Sequence, residues 1–423
     1  MKFAFVTPRY GAEITTGPEH GAWLLAEQLA QKHDVDVLTT CATDAATWKN
    51  GISEGADRVR GVIVRRFAVN QTHDANAFQQ LSQRILGTAS SRQNEIEWVR
   101  RLGPSSPGLI DYLKRQHRNY DALVFFSLLH QTTLQGFAVA PERSIIFPHL
   151  QLHPALRFGV WQDLLRQARA IGYFSPCERK VARAFLRVDK AAEEVVGIGV
   201  DAAQRQTYPR HQQDPADNPV TDEAQPAEPE EPVEPEYLEA RGVPFRRRHR
   251  LYGPFAMYGG RVAPDNGCEE MLEYFDSFSA NDGDTALVMM GIKMMKVPDA
   301  PYLRQAGVLP DRERMIAYEA ADVTLAPSSR DLLAENVLES MAVGTPVLAA
   351  AMNPAAMEHL RRSNAGLYYA TREEFVEGLR MITGNATLRE KMGDNGREYI
   401  RQHHRWDVVM ARFERLVSKI KAR

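Results

Sequence analysis

The chain has 423 residues, 44% of them hydrophobic and 25% charged, with a formal net charge of −2. That length sets an expectation of two domains in a soluble globular enzyme. The near-neutral charge carries no footprint of a nucleic-acid-binding protein, and no apolar run is long enough to span a bilayer, so any membrane contact would be peripheral.

Lys2 to Thr7 reads as a short buried strand, broken by Pro8 and Arg9 too early to be a signal peptide. A loop from Pro8 to Pro18 leads to an amphipathic helix through Leu24, Leu25, Leu29 and Ala30, and Val35 to Thr39 forms the next strand. This βαβ opening lacks the G-x-G-x-x-G fingerprint, which argues against a nicotinamide dinucleotide site. Its loop holds Thr16-Gly17-Pro18-Glu19, where Gly17 allows a ligand close to the backbone. The loop is expected to face an interdomain cleft; an ordinary strand–helix turn is the alternative.

Gly61 to Val69 reads as a strand, Trp98 to Gln116 as helix interrupted at Gly103-Pro104, and Tyr120 to Ser127 and Ser144 to Phe147 as buried strands. The last ends on Pro148-His149-Leu150-Gln151-Leu152-His153-Pro154, a loop whose two histidines either meet a ligand or make local hydrogen bonds. Gly172 to Ser175 is a short strand, and Pro176 starts a helix at its favoured first position. The cysteines, Cys41, Cys177 and Cys268, are scattered and read as reduced thiols of a cytosolic protein.

From Asp214 to Glu239 the chain is rich in Pro and Glu, too poor in apolar surface to offset ordering entropy, and reads as a solvated linker. A basic cluster follows, Arg241 and Arg246-Arg247-Arg248-His249-Arg250. It pairs loosely with the acidic block, or it forms a patch near a phosphate or an anionic lipid surface.

Phe255 to Arg261 is a strand running into Gly259-Gly260-Arg261, then Asp265-Asn266-Gly267. Arg261 offers planar, multi-donor phosphate binding; Asn266 donates hydrogen bonds without charge. Ala286 to Met290 is a strand, Asp311 to Ala321 a helix expected to expose Arg312, Glu313 and Arg314, and Val323 to Ala326 a buried parallel strand. A loop follows, then a helix with Val337, Leu338, Met341 and Ala342 on one stripe, stopped by Gly344 and Pro346 before the strand Val347 to Ala350. Such a loop lies at the carboxyl edge of a doubly wound sheet, where ligands bind.

Asp331 and Glu339 frame that unit; eight residues within one helix would separate them by about 80°. The helix N-terminus between them offers free N–H groups and a positive dipole end suited to a diphosphate. The residues alone leave open that Asp331 is a capping acid and Glu339 a solvated one. Arg362 to Tyr369 is a loop and short strand, and Glu373 to Leu379, Leu388 to Arg401 and Trp406 to Ile420 are helices.

The run from Leu338 to Val347, Leu-Glu-Ser-Met-Ala-Val-Gly-Thr-Pro-Val, with Asp331 ahead of it, resembles the carboxyl-terminal motif of retaining nucleotide-sugar glycosyltransferases of the GT-B fold, family 4. That motif has two Glu separated by seven residues. The run Arg362-Ser363-Asn364-Ala365-Gly366-Leu367-Tyr368-Tyr369 is similar to one of a bacterial subgroup. The resemblance spans most of the chain outside about Gln204 to Arg250.

The resemblance implies an α/β fold of two doubly wound, Rossmann-like domains facing across a cleft. Residues 1–200 would be the acceptor side, 201–250 a linker or insertion, 251–400 the nucleotide-sugar-binding domain, and 401–423 a helix crossing back. On the donor side it implies Arg261 on the diphosphate, Glu339 on the ribose and Asp331 on the transferred sugar, with Gly260, Asn266, Leu333, Ala334 and Glu335 around them. Gly17, Glu19 and Gln151 would line the acceptor loops. Three positions depart from the family: Asn266 stands for Lys, Asp331 for Glu and Gln151 for an active-site His. The catalytic candidates are therefore Asp331, His149 and His153.

The implied reaction moves a hexosyl unit from a UDP- or GDP-linked sugar to a glycan or lipid-linked acceptor with retention. It would use neither metal nor cofactor, and would serve surface polysaccharide or glycoconjugate synthesis in the cytoplasm or at the inner membrane face. The departures keep two alternatives open, a weak or inactive relative that binds nucleotide or glycan or supports a partner, and a nucleotide-sugar 2-epimerase of the same fold. Oligomeric state is not specified by the sequence.

Overall fold

The computed structural model describes residues 1–11, 14, 17–71, 73–87, 89–188, 190–201, 242–282 and 284–421. The Pro- and Glu-rich stretch and Arg241 lie outside these described residues.

The first half contains β1 (Lys2–Val6), α1 (Gly17–Leu29), β2 (Asp34–Thr40), β3 (Gly55–Val59), β4 (Val62–Phe67), α2 (Ala75–Ile85), α3 (Arg92–Leu102), α4 (Pro107–Gln116) and β5 (Ala122–Phe126). It continues with α5 (Gln131–Phe137), β6 (Ser144–Phe147), α6 (Gly159–Gln167), β7 (Ala170–Tyr173), α7 (Pro176–Phe185) and β8 (Ala192–Val195). The strands form one eight-stranded sheet in the order β3-β4-β2-β1-β5-β6-β7-β8. All pairs are parallel except β3 with β4. Helices cover both faces, so β5 and β6 are buried throughout and carry unbroken apolar runs.

The second half contains α8 (Val243–Arg248), β9 (Phe255–Gly259), α9 (Cys268–Asp282), β10 (Ala286–Met290), β11 (Leu303–Gly307), α10 (Asp311–Ala320), β12 (Val323–Ala326) and α11 (Glu335–Val343). Then come β13 (Val347–Ala350), α12 (Pro354–Ser363), β14 (Gly366–Tyr369), α13 (Arg372–Gly384), α14 (Ala386–His403) and α15 (Trp406–Lys421). Its six strands run in the order β11-β10-β9-β12-β13-β14, all parallel. These are two Rossmann-like α/β domains. Chain order reverses between β1 and β5 in one sheet and between β9 and β12 in the other, and each reversal opens a crevice at the carboxyl ends of the strands.

The halves touch through specific contacts. Leu332 is buried within the first domain's core, and its carbonyl accepts from the Ser175 hydroxyl. The Cys177 thiol donates to the Pro354 carbonyl at 3.0 Å, and Lys180 pairs with Glu358 at 3.0 Å. From α15, Phe413 packs its ring against Phe3, Phe5 and Phe147. Burying a Phe stabilises by roughly 1.5–3 kcal/mol, so this helix is anchored on the first sheet.

One expectation for α10 is corrected. Arg314 does not extend into solvent beside Arg312; its side chain is 16% exposed and turned toward α11. A buried carboxylate there supplies the partner that its desolvation requires.

Candidate active site

The two crevices enclose a cavity of about 380 Å³, lined from the first domain by Gly17, His149, Gln151, Leu152 and His153. The second domain contributes Tyr258, Gly260, Arg261, Asn266, Arg314, Arg330, Asp331, Leu333, Glu335 and Glu339, among others. Glu19 and Ala334, expected here from the resemblance, are not in the lining.

The loop into α11 is built by Asp331. Its Oδ1 accepts from the backbone N–H of Leu333 at 2.9 Å and of Ala334 at 2.8 Å, a local turn that short acids favour. Ala334 then takes a left-handed conformation, φ 53° and ψ 50°, which costs a non-glycine residue roughly 1–2 kcal/mol. The buried Leu332 anchor on Ser175 holds it there. Among the described residues, the N–H groups of Glu335 and Asn336 have no protein acceptor, as expected for a first helical turn. Asp331 thus caps the loop while lining the cavity. Burial raises its carboxyl above the usual range, and the two N–H bonds oppose that rise.

A chain of charges runs along this wall. His20 of α1 is buried, with Nε2 3.1 Å from Glu335 Oε1 and Nδ1 3.2 Å from the Ile14 carbonyl. Both partners only accept, so both ring nitrogens carry protons. Burial pulls the imidazolium down, but Glu335 outweighs it, and His20 is raised to about 9. Burial would raise Glu335 in turn; His20 and Arg314 hold it low. One turn on, Glu339 is buried and grips Arg314, with Nε at 3.0 Å from Oε1 and 3.1 Å from Oε2, and Nη2 at 2.6 Å from Oε1.

The phosphate-side residues are partly occupied. Arg261 pairs with Asp265 at 2.9 Å, and Asn266 donates its amide to the Arg261 carbonyl at 2.8 Å. Asn266 therefore closes its own loop. Arg330 is exposed and lines the same cavity, and among the described residues no carboxylate pairs with it.

On the first domain, Gly17 opens α1 at φ 83°, a left-handed value that suits glycine. Glu19 is buried and instead accepts from the half-buried Arg9 at 3.1 Å, a structural pair. Gln151 is exposed at the cavity. His153 caps the next turn, Nδ1 accepting from Ala155 N–H at 3.1 Å, so its neutral form carries the proton on Nε2. His149 has a left-handed φ of 45°, and burial lowers it to about 4 against the pull of Glu335. Beneath them, buried Glu178 accepts from Leu150 N–H at 3.0 Å and Phe174 N–H at 2.7 Å; burial lifts its carboxyl to about 7.

Sequence reasoning missed His20, Glu178, Arg314 and Arg330. Glu178 follows Ser175-Pro176, and the Ser175 side chain accepts from its N–H, so the capping pattern was a usable signal. His20 and Arg314 had none, because their partners are remote in sequence.

Residues 245–399 match the family model of glycosyl transferases group 1. The matched region begins at α8 and ends within α14, so it contains Arg261, Asp331, Glu335 and Glu339. The whole fold is similar to sucrose-phosphate synthase from Thermosynechococcus elongatus, at 14% identity over 100% of this chain and 99% of that one, TM-score 0.67. It is also similar to Anabaena HepE in complex with UDP and glucose, at 13% identity over 99% of each chain, TM-score 0.65. Trehalose 6-phosphate synthase from Burkholderia multivorans matches at 11% identity over 100% and 99%, TM-score 0.64. The glycosyl transferases group 1 region and the GT-B fold support a transferase. Among the described residues, no group of three His, Cys, Asp or Glu is placed to hold a metal ion, and no helix is long and apolar enough to cross a membrane.

Proposed function

We propose that this chain is a retaining hexosyltransferase of family 4, drawing on a nucleotide-diphosphate sugar and delivering to a glycan or lipid-linked acceptor. The observation that carries the reading is the cavity between the two sheet edges, where a helix N-terminus, Arg261 and Glu339 face loops of the other domain. Residues 251–400 are assigned the donor and residues 1–200 the acceptor. In this reading the Glu335 and Asn336 N–H groups and Arg261 bind the diphosphate, with Arg330 adding charge that Asn266 does not supply. Asp331 offers its Oδ2 to the transferred sugar, and Glu339 meets the ribose. Gly17, Gln151, His149 and His153 frame the acceptor. Attack from the leaving-group face, steered by the departing phosphate, gives retention. HepE has been solved with UDP-glucose, which makes UDP the first nucleotide to test here, with GDP beside it. The setting assigned is the cytoplasm, at the inner membrane face when the acceptor is lipid-linked.

A thermal-shift panel of UDP- and GDP-linked hexoses on the full chain tests the reading. Ligand at ~100-fold above Kd stabilises by about 2.7 kcal/mol. The donor that shifts the transition should then be cleaved with its anomeric configuration kept in the product. Absence of a shift from every nucleotide sugar would overturn the reading. A second reading is a binding-only relative, favoured by Asn266 closing its own loop and Arg261 pairing with Asp265. Clear donor binding without sugar release or transfer would select it.

A further inference from the structure

Glu335 and Glu339 are one turn apart on α11, so two carboxylates face one wall of the cavity. Like charges at that spacing repel. Arg314 lies against both electrostatically, with its Nη1 turned to Asp311 at 2.9 Å. The side chains of Arg314 and Glu339 are 16% and 10% exposed. Glu339 Oε1 accepts two bonds from the guanidinium and Oε2 only one. A carboxylate oxygen has two lone pairs, so Oε2 retains an acceptor site on a side chain that lines the cavity.

We propose that Arg314 is a positioning residue for the donor: it fixes the Glu339 carboxylate so that Oε2 is presented to a ribose hydroxyl, and it thereby sets the preference for ribonucleotides. The inference rests on the donor reading above. Without Arg314, nothing would fix the carboxylate's rotamer, and burial would push it toward protonation. The other charged and titratable groups around Glu339 and Arg314 do not substitute. Tyr318 is neutral, and Asp311 and Glu335 are negative. His20 is held by Glu335, and Glu27 of α1 by Arg60 at 3.4 Å. From α14, Arg397 reaches only the far end of α11, at the Val343 carbonyl.

Calorimetry on the full chain with UDP, 2′-deoxy-UDP and 3′-deoxy-UDP, and with the guanosine series if the panel selects GDP, tests the proposal. Wild type should favour the ribonucleotide over at least one deoxy analogue by roughly tenfold or more, the range of a hydrogen bond to a charged group. Arg314→Leu should bring that ratio close to one. Arg314→Lys keeps the charge without the fork and should retain only part of the ratio; if Arg314→Leu fails to fold, this variant carries the test. In Arg314→Leu any remaining preference should weaken as pH falls and Glu339 protonates. An undiminished ratio in a folded Arg314 variant overturns the proposal and leaves the donor reading intact; no deoxy penalty in wild type overturns the proposal together with the assignment of Glu339 to the ribose, while nucleotide binding itself stands. Failure of wild type to bind either nucleotide overturns the donor reading instead.

Discussion

His20 Nε2 lies 3.1 Å from Glu335 Oε1, and this ion pair joins the two domains beside the N-terminus of α11. It places a protonated imidazole against the helix whose first turn is read as the diphosphate site.

The pair makes stability depend on pH. Glu335 raises His20 from 6.5 to about 9 despite burial. A group whose folded pKa is raised contributes fully below its unfolded value and loses that contribution as pH rises through the folded one. Wild type should therefore exceed His20→Gln in stability by on the order of a few kcal/mol at pH 6. The advantage should fade between about 6.5 and 9. Urea unfolding of both proteins across that range checks it; a constant difference would count against the assignment.

Glu339→Ala should damage the fold as well as nucleotide binding. The structure leaves Arg314 buried once its bidentate partner is gone, and breaking such a pair costs roughly 3–5 kcal/mol. Arg314→Leu combined with Glu339→Leu should recover much of the loss, because neither charge remains. Denaturation midpoints of the single and double variants measure this.

Ala334→Gly should leave stability unchanged or raise it by up to about 1 kcal/mol, since glycine adopts the left-handed backbone without strain. Ala334 is fully buried at φ 53°. Ala334→Val, β-branched in the same conformation, should lower stability by more than about 2 kcal/mol. Thermal unfolding should place Ala334→Val below wild type and Ala334→Gly at or above it.

Glu178→Ala would orphan the Leu150 and Phe174 N–H groups. Each buried unsatisfied donor costs about 1–3 kcal/mol, and the loop carrying His149 and Gln151 would lose its support. Glu178→Gln keeps one acceptor and should lose less. Hydrogen exchange at Leu150 should accelerate in the Ala variant by more than in the Gln variant.

Asn266→Lys restores a cation where leaving-group charge would develop, a contact worth about 100- to 1000-fold in turnover. A true transferase should gain activity. A binding-only relative should show tighter nucleotide binding and still no sugar transfer. Initial rates with the donor selected by the thermal-shift panel separate the two.

Much of the second domain was legible because its strands are buried on both faces. Ala286–Met290, Val323–Ala326 and Val347–Ala350 are apolar runs whose bounds coincide with the observed strands. Edge elements were not. Gly55–Val59 is almost wholly exposed, and Leu303–Gly307 is partly so, and without a hydrophobic pattern neither announces itself. Their strand conformation comes from pairing with β4 and β10.

The sequence by itself determined the individual buried strands and the location of the loop and helix from Ser328 to Gly344, because burial periodicity and cap chemistry are local; two doubly wound sheets were expected only through the family resemblance. The sequence also put Asp331 and Glu339 on one unit. Only the tertiary structure decided what those acids do. Asp331 spends one oxygen on its own turn, Glu335 meets His20 from a helix near the start of the chain, and Glu339 is gripped by Arg314, which the sequence alone leads one to expect in solvent. The physical reason is that a buried charge is settled by its nearest counter-charge in space, and chain spacing carries no record of that distance.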